Sequence, residues 1–199
     1  MARFDLLRPV QALAHMVTKW SPLCDRKLHR LMCYINSSTT YRLVGWVGEE
    51  DKLEDLYLAL YSDADWAGDP ITRKSTSGVF VRMTGPMTSF PLSALSKKQT
   101  SVSTSTPEAE CVAAYTALKN EGVPVSILID KLLGREVMIM FFEDNQALIF
   151  VMKSGKNPAL RHVSRTQDIS MAWMCEMFAK QQYQIIYCLT TAQAADIFT

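Results

Sequence analysis

Two uninterrupted apolar runs, each leading to an acidic residue, constrain the fold of this chain more than any other feature. Residues 56–61 (LYLALY) lead to Asp63, and residues 137–142 (VMIMFF) lead to Glu143 and Asp144. Runs that are apolar at every position are typical of strands buried on both faces of a sheet. The sequence therefore predicts two central strands with carboxylates at their ends.

The spacing of apolar and turn-forming residues predicts an α/β fold, in which helices flank a mixed five-stranded sheet. A small helical segment at 1–50 is expected to precede the main domain at 56–199, with two helices and a short strand at 41–47. Strands are predicted at 56–62, 78–84, 87–95, 137–143 and 183–189, and helices at 107–121, 125–133, 145–153 and 166–180 and from 191 onward. Pro107 suits a first helical turn, which Ser105 or Thr106 can cap.

Charge is balanced overall but uneven along the chain, whose net charge is +1. Residues 49–65 are strongly acidic, whereas residues 153–165 carry basic side chains and no acid. Patches of this kind are compatible with nucleic-acid binding without a global basic field. The five cysteines show no paired spacing, which indicates reduced thiols in the cytosol or nucleus. We expect neither a signal peptide nor a membrane span, and no phosphate-loop, dinucleotide or zinc-ligand motif occurs.

Four carboxylates are predicted at the ends of four different elements: Asp63, Glu108, Asp144 and Asp196. Gathering acids in a fold is costly unless a cation neutralises them, and carboxylate oxygens suit Mg²⁺. Two such ions about 4 Å apart can hold the attacking and leaving oxygens of a phosphodiester. The four acids therefore point to phosphodiester hydrolysis.

Local periodicity does not decide which of the acids on the strands faces a metal site. Asp63 and Asp65 point the same way on a strand, so spacing cannot choose between them. Glu143 and Asp144 point in opposite directions, which is expected to leave Glu143 facing solvent or the other side of the sheet.

Periodicity also does not decide which of the acids on the helices faces a metal site. Glu108 and Glu110 lie roughly 200° apart around a helix axis, so both cannot face one metal ion. Glu108 also suits a capping box with Ser105, and Asp196 suits the first turn of a helix through the helix dipole.

Six short motifs resemble the ribonuclease H domain of copia-type LTR retrotransposon polyproteins. They occur in the family's order as YSDADWAGD (61–69), RKSTSG (73–78), LSKKQ (95–99), PEAEC (107–111), EDNQA (143–147) and AADIFT (194–199). Residues 1–50 resemble the C-terminal end of the reverse transcriptase that precedes this domain. The chain departs from the family at Pro107, where Thr is usual, and at Cys111, where Tyr is usual.

The resemblance implies a ribonuclease H fold and hydrolysis of the RNA strand of RNA–DNA hybrids by a two-metal mechanism. It selects Asp63, Glu108, Asp144 and Asp196 as catalytic residues and ligands of two Mg²⁺ ions, for which Mn²⁺ can substitute. The expected partners are the hybrid and the reverse transcriptase part of the same polyprotein. The expected location is a cytoplasmic retroelement particle or the nucleus, without secretion. The alternative is a catalytically weak remnant of the same fold that binds nucleic acid or serves a structural role.

Basic and polar residues in the same motifs are expected to contact the hybrid. Backbone contacts rather than base readout are expected to dominate this binding. The predicted contacts are Arg73, Lys74, Lys97, Lys98, Gln99, Arg161, His162 and Arg165.

Overall fold

A computed structural model of the chain describes residues 3–155 and 163–199. The strands are β1 (Tyr57–Asp65), β2 (Thr76–Thr84), β3 (Ser89–Lys98), β4 (Met138–Glu143) and β5 (Tyr183–Tyr187). The α-helices are α1 (Leu7–Ala14), α2 (Pro22–Ser37), α3 (Thr106–Thr116), α4 (Val123–Leu133), α5 (Gln146–Ser154), α6 (Val163–Thr166) and α7 (Met171–Ala179). Short 3₁₀ turns lie at Phe4–Leu6, Val17–Lys19, Leu53–Asp55, Thr190–Ala192 and Asp196–Phe198.

The five strands form one mixed sheet in the order β3-β2-β1-β4-β5. Strands β1, β2 and β3 are antiparallel neighbours, whereas β4 pairs parallel with β1 and β5 parallel with β4. Parallel neighbours need long crossovers, and α3–α4 and α5–α7 occupy those connections. The predicted mixed five-stranded sheet flanked by helices is confirmed.

The central pair of strands brings the two acid-ending runs side by side. β1 and β4 are in register from Tyr57 opposite Met138 to Tyr61 opposite Phe142. The same register, continued past the paired residues, sets Asp63 opposite Asp144. Since parallel strands end at the same edge, the acids of both runs meet at one edge of the sheet.

The separation predicted between helices 107–121 and 125–133 is wrong, because α3 continues through a π-helical turn (Ala117–Gly122) into α4. The wider π turn accommodates Pro124, which has no backbone N–H to donate. Gly122 lies close to β1, since a Cβ there would lie 2.7 Å from Leu60 Cδ2 and the Leu60 side chain would have to move.

The N-terminal segment forms the two predicted helices and packs against the sheet. Phe4 meets Phe80 of β2 edge to face at 6.4 Å between ring centroids, and Arg8 forms an ion pair with Asp65 at 3.2 Å. The predicted strand at 41–47 is wrong: within the described residues it is reduced to one antiparallel bridge between Trp46 and Ser89.

Two further elements differ from the prediction. β3 is longer than expected and contains Pro91, which this edge strand tolerates beside a register shift opposite Val81 and Arg82. The helix predicted at 166–180 is divided into α6 and α7, with Asp168 at a positive φ of 54° between them. Among the described helices, none has both the length and the apolar character needed to span a membrane.

Candidate active site

Asp63 and Asp144 form the centre of an acidic edge. Asp63 accepts a hydrogen bond from the Thr199 hydroxyl at 2.9 Å, and Asp144 accepts one from the Thr190 hydroxyl at 2.8 Å. Partial burial raises the pKa of Asp63 above its usual range, and the charges of Asp196 and Asp144 raise it further. The two aspartates predicted from the apolar runs are therefore close enough to repel each other.

Glu110 is the helical acid that joins this group. Its side chain is 5% exposed, and its Oε2 has no hydrogen-bond partner among the described residues. Burial raises its pKa to about 10, with further contributions from the charges of Glu143, Asp63 and Asp144. A buried carboxylate oxygen without a donor is costly, and a cation at this position would remove that cost.

Glu143 is a fifth acid at the same edge; of the two positions expected from the sequence, solvent is wrong, whereas the other side of the sheet agrees with the alternation along β4. It is fully buried instead of facing solvent, since it ends the face of β4 that carries Ile139 and Phe141 into the core. The Ser62 hydroxyl donates to it at 3.3 Å and the Asn145 backbone N–H at 3.1 Å. Burial raises the pKa of Glu143 to about 8, and Asp144 adds to the effect.

Asp196 reaches the site on a C-terminal segment that crosses β1 and β2. Gln193 donates from Nε2 to the Ser62 carbonyl at 2.9 Å, and the Ser96 hydroxyl donates to the Phe198 carbonyl at 2.6 Å. Gly78 permits the crossing, because a Cβ there would lie 2.5 Å from the Ala195 carbonyl oxygen. Asp196 is exposed and begins a 3₁₀ turn, not the predicted α-helix.

The structure places Glu108 away from the acidic edge. Its Oε2 accepts from the Thr104 backbone N–H at 2.8 Å and the Thr104 hydroxyl at 2.6 Å, and its Oε1 accepts from Gln167 Nε2 at 2.9 Å. The Glu108 N–H in turn faces the Ser105 hydroxyl at 3.4 Å. Ser105 is therefore the N-cap of α3, whereas the Glu108 carboxylate binds Thr104, one residue before the cap, and not the Ser105 N–H of a standard capping box.

Sequence could have identified Glu110 through the small residues of α3. Ala113, Ala114 and Ala117 follow Glu110 at helical spacing, and all three are fully buried. That stripe faces the sheet, and Glu110 extends it toward the end of β1. Glu108 instead shares a helix face with Val112 and Tyr115.

Both carboxylate oxygens of Asp65 are bonded to neighbouring elements of the fold. Its Oδ2 pairs with Arg8, and its Oδ1 accepts from the Thr76 backbone N–H. Burial raises the pKa of Asp65, while the Thr76 N–H and Arg8 lower it. Of the two acids that the strand period could not separate, Asp63 is thus the one that lies among the other carboxylates.

The acidic edge suits a hard divalent cation by its chemistry. It offers carboxylate oxygens, which Mg²⁺ prefers, including the unpartnered Oε2 of Glu110. In the part of the chain that the structure describes, no three Asp, Glu, His or Cys side chains are gathered closely enough to form a ready metal cluster. Binding of a cation would therefore require side-chain adjustment at this edge.

Some of the predicted nucleic-acid contacts are exposed, whereas others are bonded to other residues of the protein. Arg73, Lys97 and Arg165 are exposed, whereas Lys98 forms an ion pair with Asp69 that lowers the pKa of that carboxyl strongly. Lys74 donates to the Thr100 carbonyl at 2.5 Å.

Gln99 is buried, so the structure contradicts its predicted contact with nucleic acid. Its Nε2 donates to the Ala109 carbonyl at 2.9 Å and the Ser77 hydroxyl at 3.1 Å, and its Oε1 accepts from Ser103. Gln99 thereby ties β3 to α3. Arg161 and His162 lie outside the described residues.

Several known proteins resemble this chain in sequence or in fold. No protein-family model matches the chain. The secreted RxLR effector protein 161 of Plasmopara viticola is 35% identical over 117 residues, which are 59% of this chain and 76% of that protein. The retrovirus-related Pol polyprotein from transposon TNT 1-94 of Nicotiana tabacum is 30% identical over 146 residues, which are 73% of this chain but 10% of the polyprotein. A ribonuclease H1 isolated from compost aligns with 71% of this chain and 91% of its own, at a TM-score of 0.48 and 18% identity.

Proposed function

The chain belongs to the ribonuclease H domains of retrotransposon polyproteins, and from that premise we propose that it cleaves the RNA strand of RNA–DNA hybrids. The observation that carries the proposal is the acidic edge, where buried Glu110 keeps an unpartnered carboxylate oxygen close to Asp63 and Asp144. A purely structural carboxylate would be expected to have its oxygens hydrogen-bonded.

The proposed metal ligands are Asp63, Glu110, Asp144 and Asp196. Glu110 replaces Glu108 in the set expected from sequence, since Thr104 and Gln167 already occupy both oxygens of Glu108. Two Mg²⁺ ions, or Mn²⁺ in their place, would lower the pKa of the attacking water and stabilise the leaving 3′ oxygen.

The surrounding side chains orient these ligands. The Thr199 hydroxyl donates to Asp63 Oδ2 at 2.9 Å, and the Thr190 hydroxyl donates to Asp144 Oδ2 at 2.8 Å. The Asn145 side chain caps α5 by accepting from the Leu148 N–H at 3.2 Å, and so fixes the chain directly after Asp144. These contacts restrict the side chains of Asp63 and Asp144, and a bound cation would have to draw the proposed ligands closer together.

The partners follow from the same proposal. The hybrid is proposed to lie across the acidic edge, with exposed Arg73, Lys97 and Arg165 as backbone contacts. Residues 1–50 are proposed to be the end of a copia-type reverse transcriptase that continues into this domain within a polyprotein. A retroelement particle in the cytoplasm, or the nucleus, is the proposed place of action.

The test is cleavage of a labelled RNA–DNA hybrid in Mg²⁺ or Mn²⁺, with Asp144→Asn beside the wild type. We expect metal-dependent cleavage of the RNA strand by the wild type and its loss in the variant, because Asp144 provides a carboxylate at the centre of the edge. Cleavage that persists at full rate in Asp144→Asn would contradict the proposed site. Binding of the hybrid without cleavage by either protein would favour the remnant that binds nucleic acid.

A further inference from the structure

A polar groove lies on the side of α3 that faces away from Glu110. It has a volume of about 240 Å³ and lies between the end of β3, α3 and the chain between α6 and α7. Its charged lining residues are Lys97, Lys98 and Lys119, with Asp168 as the acid. The groove was not predicted from the sequence, because its basic residues come from separate elements.

Two of the three lysines remain available to a ligand. Lys98 is paired with Asp69, whereas Lys97 and Lys119 are exposed. The Lys119 ammonium lies 5.1 Å from the centre of the Tyr115 ring and donates to its hydroxyl at 3.1 Å. Tyr115 therefore holds one positive charge beside the groove, and such a pair of lysines suits a phosphate group.

Gln167 supplies an independent sign of a missing ligand. It lines the groove, is 6% exposed, and its Oε1 has no hydrogen-bond partner among the described residues. Its Nε2 donates to the Glu108 carboxylate at 2.9 Å and the Val102 carbonyl at 3.1 Å. Both of these partners are acceptors, so the amide cannot be turned around, and the unsatisfied atom must be the oxygen.

The groove therefore combines positive charge with a buried acceptor that needs a donor. A phosphodiester accepts hydrogen bonds but has no donor, whereas a ribose adds a 2′-hydroxyl that can donate. We propose that this groove binds a ribose–phosphate unit of the RNA strand, with Lys97 and Lys119 on the phosphate and Gln167 Oε1 on the sugar hydroxyl.

This inference rests on the proposed function and adds a second contact with the substrate. Glu108 and Glu110 lie on nearly opposite sides of α3, and Gln167 is bonded to Glu108. The groove is thus roughly 10 Å from the acidic edge, about one helix diameter. It would hold a nucleotide other than the one that is cleaved, so its loss should raise KM more than it lowers kcat.

The test measures binding of a fluorescent RNA–DNA hybrid in EDTA, where metal-dependent cleavage does not interfere. Lys97→Ala with Lys119→Ala is compared with Lys131→Ala with Lys180→Ala, a control that removes the same charge from exposed residues outside the groove. We expect the groove variant to bind about tenfold more weakly than the control, with a salt dependence smaller by about 2 in log–log slope. Equal affinity of the two double variants would overturn the inference.

The cleavage assay separates this inference from the proposed function. If the wild type cleaves while groove and control variants bind alike, the groove inference fails and the proposed function stands. If the wild type binds but does not cleave, and the groove variant binds weakly, the groove stands and the hydrolase proposal fails. A wild type that neither binds nor cleaves the hybrid contradicts both.

A second variant tests the sugar contact. Gln167→Met keeps the length of the side chain but removes the acceptor together with the Nε2 donor to Glu108 and Val102, so the preference for the hybrid over a DNA duplex of the same sequence should shrink. An unchanged preference in a variant with wild-type melting temperature would restrict the groove to a phosphate site.

Discussion

Two buried carboxylates near the start of α3, on opposite sides of the helix, have different surroundings. Glu108, on the side of Thr104 and Gln167, is 1% exposed and accepts hydrogen bonds on both oxygens. Glu110, on the side of the sheet, is 5% exposed and keeps one oxygen without a partner beside other acids. The two buried glutamates thus differ in hydrogen-bond satisfaction, and this difference supports the proposed role of Glu110 as a metal ligand.

The largest expected effect is on the rate of cleavage, when Glu110 is replaced. Glu110→Gln should lower kcat for hybrid cleavage by about a thousandfold, since removing a carboxylate from a metal site is worth several kcal/mol in the transition state. Glu108→Gln, the same substitution on the opposite side of the helix, should retain most of the activity per folded molecule. Equal losses in the two variants would show that the two sides of α3 are not functionally distinct.

The free energy of unfolding should change in the reverse order, with a larger loss in Glu108→Gln than in Glu110→Gln. Glu108→Gln replaces one accepting oxygen by an NH₂ group that faces either Thr104 or Gln167, both of which donate. We expect a loss of about 2 kcal/mol in the free energy of unfolding, the cost of leaving a buried hydrogen-bonding group unsatisfied. Urea unfolding in EDTA measures this loss, and Glu110→Gln measured alongside should show none. A stability of Glu108→Gln equal to the wild type would remove the structural role assigned to Glu108.

The pH dependence of stability sharpens the comparison further. Burial and neighbouring acids raise the pKa of Glu110 to about 10 and that of Glu143 to about 8, from an ordinary value of 4.5. Both groups bind a proton more tightly when folded, so their contribution to stability is complete below pH 4.5 and is lost as pH rises toward the folded pKa values. Metal-free protein should therefore lose up to about 1.4 kcal/mol of unfolding free energy per pH unit for each group.

Glu110→Gln isolates the share of one of these groups. Unfolding in EDTA at several pH values between about 5 and about 8 should give a flatter profile for the variant than for the wild type. The variant should be the more stable protein at the alkaline end of this range. Parallel profiles would mean that Glu110 is not held protonated in the fold.

Metal addition should give the smallest effect. A cation that binds only the folded state stabilises it by about 1.4 kcal/mol when its concentration is about ten times its Kd. Mg²⁺ should therefore raise the melting temperature of the wild type and of Glu108→Gln, but much less that of Glu110→Gln. An equal rise in all three proteins would point to nonspecific ion binding.

Local sequence was sufficient for the elements that carry the aspartates. The run at 56–61 and the run at 137–142 became β1 and β4, and their parallel register brings Asp63 and Asp144 to one edge. Capping by Ser105 and Asn145 was also predictable, since each accepts from an N–H three residues later.

Prediction failed where an element's place depended on its neighbours. Residues 41–47 have the composition of a strand but pair with the sheet only at Trp46, among the described residues. Gly122 and Pro124 look like a helix end, yet the chain continues as a helix through a π turn in which Gly122 packs against Leu60 of the sheet. Local propensity cannot anticipate such contacts, since they come from distant parts of the chain.

The sequence by itself determined the order along the chain of the five strands of the sheet, the two buried central strands, and the presence of an acid at the end of each. Only the tertiary structure decided that Glu110, not Glu108, joins those acids. The physical reason is the rotation of α3 about its own axis. Ala109 and Ala113 pack against Ala64 of β1, and that close contact turns one glutamate toward the acidic edge and the other toward Gln167.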